Sequence, residues 1–297
     1  MTQQRARFGL SAALATPFSA DGAIDRQRAV AQARWCLAEG CSSVTLFGTT
    51  GEGSSIGQAD RADLLAAFAE GGIAGDRIVG AVAAASVADA AAQARQILAI
   101  GCKAVLLPPP FYFKGVTDDG LFAWYAQVFE RLGAAARDVL LYNIPSVTAV
   151  ALPIELIGRL RAAFPGIVVG VKDSSGDWVY TQRLLAAHRD LAILIGDERY
   201  LAEGVQLGGE GAISGLANIC PGILRPLALE GRDDPRISGL VEAVLDYPVT
   251  PAVKALVAHR TGDPAWRAVR PPLMPLGAAD AGRLGAHYNA LFAAAAV

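Results

Sequence analysis

AEGCSSVTLFG (residues 38–48) and AIGCKAVLLPP (residues 99–109) follow one order: the end of an alanine-rich segment of helical period, a Gly-Cys pair, then an apolar run. Gly40 and Gly101 stand 61 residues apart, two units of roughly thirty residues, which is the size of a strand-plus-helix repeat. Neither run alternates; each is apolar almost throughout, as a strand of a parallel sheet covered on both faces must be. Working outward, the same alternation of short apolar run and helix-like segment recurs. The runs are GLSAALAT (9–16), SVTLFG (43–48), RIVGAVAA (77–84), AVLLPP (104–109), DVLLYNIP (138–145), IVVGVKD (167–173), LAILIGD (191–197) and GAISGLAN (211–218). Eight strands, each followed by a helix, within about 225 residues predict an α/β fold of the closed (β/α)8 type, with reactive groups at the C-terminal ends of the strands. An open doubly wound sheet is the rival; against it, ATPFSADG stands where a GxGxxG should follow the first strand.

Beyond about residue 227 the strand pattern stops. ISGLVEAVL, TPAVKALVAHR and ADAGRLGAHYNALFAAAA read as helices broken by proline and glycine. The predicted organisation is therefore a barrel over 1–227 and a C-terminal helical region over 228–297, packed on the barrel or on a neighbouring subunit.

Composition narrows the function. The 297 residues are 53% hydrophobic and 18% charged, enough for a large core and unlike a disordered chain. A formal net charge of -2 supplies no basic field for nucleic acid or anionic lipid, which leaves a small molecule as the expected partner. Cys36, Cys41, Cys102 and Cys220 contain no CxxC pair, and His188, His259 and His287 share no ligand spacing, so neither a disulfide framework nor a metal site is expected. The cysteines read as small buried apolar residues of a reduced, cytoplasmic protein. Arg5 and Arg7 before FGLSAALA imitate a signal peptide, but the apolar part is short and ALATPF also reads as a strand running into a turn. No run is long enough to span a membrane.

Lysine is scarce: Lys103, Lys114, Lys172 and Lys254 stand among 26 basic residues. Lys103 falls where the fourth strand begins, at the barrel end that governs stability. Lys114 lies in an aromatic- and glycine-containing loop, and Lys254, in a C-terminal helix, reads as a solvated charge. Lys172 alone falls at the C-terminal end of a predicted strand. Period-2 alternation places Lys172 and Ser174 on one face and Val171 and Asp173 on the other. If the first face is the interior, desolvation disfavours the ammonium form and leaves an amine able to attack a carbonyl carbon. The chemistry that uses such an amine without metal or cofactor is a Schiff base to a ketone, which makes the adjacent carbon a carbanion equivalent. The competing reading is a lysine salt-bridged at the barrel mouth.

Tyr142 lies 30 residues earlier, at the corresponding end of the preceding strand, where a phenol could shuttle a proton or simply pack. FGTTGEGSS (47–55) follows the second strand. Its glycines permit a tight turn of converging N–H groups from Gly48 on, and Thr49 or Thr50 could bond a phenol or a substrate carboxylate. LGGEGAISG (207–215) reads either as a phosphate-binding loop or as close helix-to-strand packing, with packing favoured.

GTTGEG, YNIPSVT, GVKDSSGD and LGGEGAISGLAN, in this order and spacing, resemble the class I pyruvate-dependent aldolases of the dihydrodipicolinate synthase and N-acetylneuraminate lyase family, over the stretch from ALATPF to about Pro221. The resemblance implies a (β/α)8 barrel with C-terminal helices, a homotetramer built as a dimer of dimers, and no cofactor beyond the covalent imine. It implies that Lys172 is the Schiff-base lysine and Tyr142 the general acid/base. Thr49 would link Tyr142 to a second tyrosine from a neighbouring subunit, and Thr50 would hold the keto-acid carboxylate. That second tyrosine is Tyr112, or Phe113 takes its place, since PPFYF is one residue longer than the family pattern. Ile213 would line the site through its carbonyl, while Gly196, Glu198, Arg199 and Ser214 would face the variable end of the substrate.

One position departs. Where dihydrodipicolinate synthases carry an arginine that receives the aldehyde's carboxylate, this chain has Val147, which removes a bidentate anion site. The expectation is thus an aldolase of a 2-keto acid of the 2-keto-3-deoxy sugar acid type. A dehydratase using the same imine and dihydrodipicolinate synthesis itself are enzymatic alternatives, and a keto-acid-binding sensor the non-enzymatic one.

Overall fold

A computed structural model describes residues 7–293. All eight expected strands are present: β1 (Gly9–Ala13), β2 (Ser43–Leu46), β3 (Ile78–Ala81), β4 (Ala104–Leu107), β5 (Val139–Asn143), β6 (Val168–Asp173), β7 (Ala192–Ile195) and β8 (Gly211–Ser214). They pair in parallel, in chain order, and close into a barrel through β8 and β1. All but β6 stop short of the C-terminal end of their apolar runs, where the chain turns away from the barrel; β6 runs to Asp173, the end of its own. Every strand residue but Val169 is buried, which accounts for the lack of alternation.

The seam needs glycine. Gly9 and Gly211 are register partners, and a Cβ on Gly211 would stand 2.1 Å from the Gly9 carbonyl oxygen. In the loop before β8, a Cβ on Gly209 would stand 2.8 Å from the Gly204 carbonyl oxygen of helix Leu201–Gln206 and 3.5 Å from the Ile193 carbonyl oxygen of β7, a contact of the helix-to-strand kind that the favoured reading expects. Between β5 and β6 the register shifts: Val139 pairs with Val168, but Leu140 pairs with Gly170, leaving Val169 as the extra residue of a bulge. The shift advances β6 by one, so Lys172 comes opposite Tyr142 and Asp173 opposite Asn143. Without it the lysine would face Asn143.

Helices follow each strand, from Arg26–Ala38 after β1 to Pro221–Glu230 after β8. The three expected C-terminal helices are Pro235–Leu245, Val249–Thr261 and Ala278–Phe292; residues 294–296 of the last sequence segment, like Arg5, lie outside the described residues. Helix Val249–Thr261 is buried on all sides from Thr250 to Ala258. This corrects the reading of Lys254 as a solvated charge: it sits mid-helix with no exposed surface. Among the described residues no helix is long and apolar enough to cross a membrane.

Candidate active site

The strand register sets the centre. Tyr142 and Lys172 are neighbours across β5 and β6, both pointing inward and almost fully buried. Lys172 Nζ lies 3.2 Å from the Tyr142 hydroxyl and 4.5 Å from its ring centroid. One residue on, the outward face locks that register: Asn143 Nδ2 donates to Asp173 Oδ1 at 3.0 Å, and Thr181 Oγ1 donates to Asp173 Oδ2 at 2.6 Å. A one-residue slip would unpair these buried groups as well as separate the amine from the phenol.

The turn after β2 brings the hydroxyls. Thr49 Oγ1 is 3.5 Å from the Tyr142 hydroxyl, so phenol, amine and threonine form one chain. Phe47 and Glu52, at either end of Gly48–Gly51, both have left-handed backbones, φ 63° and 55°, a conformation that costs a non-glycine residue energy. Gly53 has no alternative, since a Cβ there would stand 1.8 Å from the Phe47 carbonyl oxygen. Arg61, buried and pushed down to about 10 by desolvation, donates to the Gly53, Ile56 and Ala81 carbonyls and holds the turn from beneath.

A cavity of about 350 Å³ opens over this centre. Thr49, Thr50, Tyr142, Lys172, Ser174, Gly196, Glu198, Arg199 and Ile213 all line it, so nine of the sequence candidates converge. Val147 lines it too and is 59% exposed, an aliphatic group at the mouth where an anion receiver was missed in the sequence. Arg199, which also lines the cavity, has its Nε and Nη2 bonded to Asp197 at 3.0 and 2.7 Å, a forked pair that occupies one edge of the guanidinium. Burial pushes the half-buried Glu198 carboxyl above its ordinary range, opposed by a 2.6 Å bond from Ser214 Oγ and by the charge of Lys172.

Three candidates fall elsewhere. Ser214 is 1% exposed and its hydroxyl faces Glu198, so it orients that carboxyl and does not line the cavity, because strand alternation gives the inward face of β8 to Ile213. Gly48 lines an adjoining cavity of about 380 Å³ beyond Tyr142. Tyr112 is 76% exposed beside Phe113 and reaches neither cavity within one chain.

The sequence reading missed the aliphatic wall supplied by Val241, Val244, Leu245, Val249 and Val253 from the C-terminal helices. It also missed Asn218, whose amide bonds the Ala13 and Gly215 carbonyls and the Ala15 N–H, clipping the loop after β8 to that after β1. Among the described residues no group of His, Cys, Asp or Glu is arranged to hold a metal ion. The thiols are buried, those of Cys41 and Cys102 pushed up to about 12 by desolvation, which makes them poor nucleophiles.

A closed parallel barrel that presents a buried amine to a phenol at the ends of adjacent strands has the site architecture of an aldolase-type lyase that works through a lysine Schiff base. The model of the Dihydrodipicolinate synthetase family matches residues 7–288, and the chain belongs to that family. The crystal structure of dihydrodipicolinate synthase from Agrobacterium tumefaciens str. C58 is 57% identical and superposes with a TM-score of 0.95, covering 96% of this chain and 100% of that one. An uncharacterized DapA-like lyase of Chloroflexus aurantiacus is 32% identical over 96% of this chain and 97% of its own. The 4-hydroxy-tetrahydrodipicolinate synthase of Anaeromyxobacter sp. (strain K) is 33% identical over 75% of this chain and 74% of its own. The chain is thus a lyase of a family of aldolase-type, Schiff-base-forming enzymes.

Proposed function

We propose that the chain cleaves or dehydrates a 2-keto acid of the 2-keto-3-deoxy sugar acid type through an imine on Lys172. The Lys172 amine, in its deprotonated form, attacks the C2 ketone, and Tyr142 gives its proton to the departing hydroxyl, so that water leaves, an iminium forms and the phenol becomes a phenolate. In aldol cleavage the Tyr142 phenolate takes the proton of the C4 hydroxyl as the C3–C4 bond breaks, the electron pair passing into the iminium to give a neutral enamine, a free aldehyde and the phenol again. Protonation at C3 and addition of water then release pyruvate and the amine. In dehydration the C3 proton and the C4 hydroxyl leave instead, from the same imine. Thr49 orients the phenol, and Thr50 with the N–H groups of its turn holds the keto-acid carboxylate. The iminium takes up the electrons, so this reading calls for no metal or cofactor.

The observation that carries the reading is the 3.2 Å approach of Lys172 Nζ to the Tyr142 hydroxyl in a cavity bordered by Val147. Ser174 and Glu198 offer hydrogen-bonding partners to a hydroxylated chain beyond C4. The second reading, synthesis of 4-hydroxy-tetrahydrodipicolinate, has in its favour the name of the 57% identical Agrobacterium relative. It requires a receiver for the aldehyde's carboxylate, whereas Val147 is apolar and Arg199 is paired with Asp197. Turnover of 2-keto-3-deoxy acids of differing length and stereochemistry, with Lys172→Ala as control, tests the two. Release of pyruvate or loss of water from one of them supports the first; rapid turnover only with aspartate semialdehyde plus pyruvate supports the second.

We extend the reading to a barrel unit over 1–227, a helical unit over 228–297 and a cytoplasmic homotetramer in which Tyr112 of one subunit reaches Thr49 of the next. Tyr112 and Phe113, adjacent and 76% and 72% exposed, are aromatic surface of the kind a subunit contact covers. A fully active monomer in solution would remove Tyr112 from the mechanism.

A further inference from the structure

Lys254 and Glu52 are both wholly enclosed, with Nζ and Oε1 2.6 Å apart. Burying two charges costs much of what their attraction returns, and apolar residues of the same volume often stabilise a protein as well or better. Stability alone is thus a weak account of this pair, and what it touches supplies a stronger one. Lys254 Nζ also donates to the Thr16 carbonyl at 2.8 Å, and Thr16 Oγ1 donates to the Gly51 carbonyl at 2.7 Å. The other carboxylate oxygen of Glu52 accepts from the Arg270 N–H at 2.8 Å. Glu52 N donates to the Thr49 carbonyl at 3.1 Å, and Thr250, four residues before Lys254, donates to the same carbonyl at 3.3 Å.

Every one of these contacts converges on the turn that carries Thr49 and Thr50. The turn is bounded by the left-handed Phe47 and Glu52, and a strained backbone persists only where its surroundings impose it. Arg61 imposes it at Gly53 from the barrel side, and Lys254 imposes it at Glu52 from the side of helix Val249–Thr261.

We propose that the Glu52–Lys254 ion pair is a positioning device, which fixes the turn so that the Thr49 hydroxyl meets Tyr142 and Thr50 faces the Lys172 cavity, making helix Val249–Thr261 part of the catalytic unit. The proposal rests on the reading of Lys172 as the imine-forming residue. The pair touches no reacting atom in that mechanism and acts through the threonines.

The test uses the full-length protein as wild type, Lys254→Met, Glu52→Gln and the double variant, with pyruvate as probe. Melting temperature is measured, together with the maximal rate and half-saturating pyruvate for borohydride trapping at Lys172. Either single variant leaves a group without its partner and melts lower. The double variant removes both charges of the pair and regains thermal stability, yet it traps pyruvate with an efficiency reduced about 10²-fold, the loss that roughly 1 Å of misplacement produces. A double variant that recovers melting temperature and trapping together overturns the proposal and reduces the pair to a stability element. If the double variant does not fold, the near-isosteric Glu52→Gln decides: trapping at the wild-type rate overturns the proposal, and slowed trapping in a folded protein supports it. A wild type left unlabelled at Lys172 overturns the imine reading and the proposal together, a result distinct from equal labelling of wild type and double variant.

Discussion

Tyr142→Phe removes one oxygen from the centre of the site and little else. The ring is 4% exposed, wedged between its strand neighbours, and phenylalanine fills the same space. The hydroxyl meets two side chains, Lys172 Nζ at 3.2 Å and Thr49 Oγ1 at 3.5 Å, both beside the cavity, so its loss should cost folding stability at most about 1 kcal/mol. Rate is another matter. A positioned proton-transfer group contributes about 10²- to 10⁴-fold, and at about 1.4 kcal/mol per decade the barrier should rise by about 3–5 kcal/mol. The assay pairs steady-state release of pyruvate from a 2-keto-3-deoxy acid with borohydride trapping of pyruvate on the same variant. Turnover should fall into that range while Lys172, still present and still within 4.5 Å of the ring centroid, becomes fully labelled at longer times. A folded Tyr142→Phe protein that turns over within about threefold of wild type would refute the assignment of the proton step to this phenol.

Val147→Arg places a guanidinium at the cavity mouth and should raise the ratio of aspartate-semialdehyde to sugar-acid turnover by 10-fold or more, an effect of about 1.4 kcal/mol or greater, read as the ratio of kcat/KM values. Asp173→Ala leaves Asn143 Nδ2 and the Ser175 N–H without their acceptor and Thr181 Oγ1 with the Asp177 carbonyl alone, and should cost about 2–4 kcal/mol in a denaturant titration, with turnover falling as the β5–β6 register loosens. Glu198 gives a pH signature. Its folded carboxyl is raised above the ordinary range, so the folded state holds a proton that the unfolded chain releases as pH rises. Wild-type stability relative to Glu198→Gln should therefore fall from an ordinary carboxylate value of about 4.3 upward and level off above the raised one; a flat difference between their melting temperatures across that window would contradict the shift.

Much of the barrel was legible because physics wrote it twice, as unalternating apolar runs and as their thirty-residue spacing. Lys172 and Tyr142 were legible because a charge and a phenol at the ends of such runs have few other reasons to be there. What brings them side by side was not: IVVGVKD carries no mark of the bulge at Val169, which is a property of two strands meeting. Lys254 was misread although its signal matched that of Lys172, a lone charge within apolar TPAVKALVA, in a helix buried on all sides. Its partner Glu52 is the one carboxylate of FGTTGEGSS, and nothing in that loop's spacing tells that it faces a lysine 202 residues on. Ser214 follows the cavity-lining Ile213 along GAIS, so period-2 alternation assigns it to the outward face. The aliphatic wall from Val241 to Val253 depends on where C-terminal helices dock, and no local pattern encodes that.

The central claim is that Lys172 is the imine-forming residue. Incubation with pyruvate and borohydride, followed by peptide mass analysis, tests it most directly. The account predicts one reduced pyruvyl group per chain, an N-linked 1-carboxyethyl adduct, on the peptide containing Lys172 and none in Lys172→Ala. An adduct on Lys103, Lys114 or Lys254 in its place, or no adduct at saturating pyruvate, would contradict it.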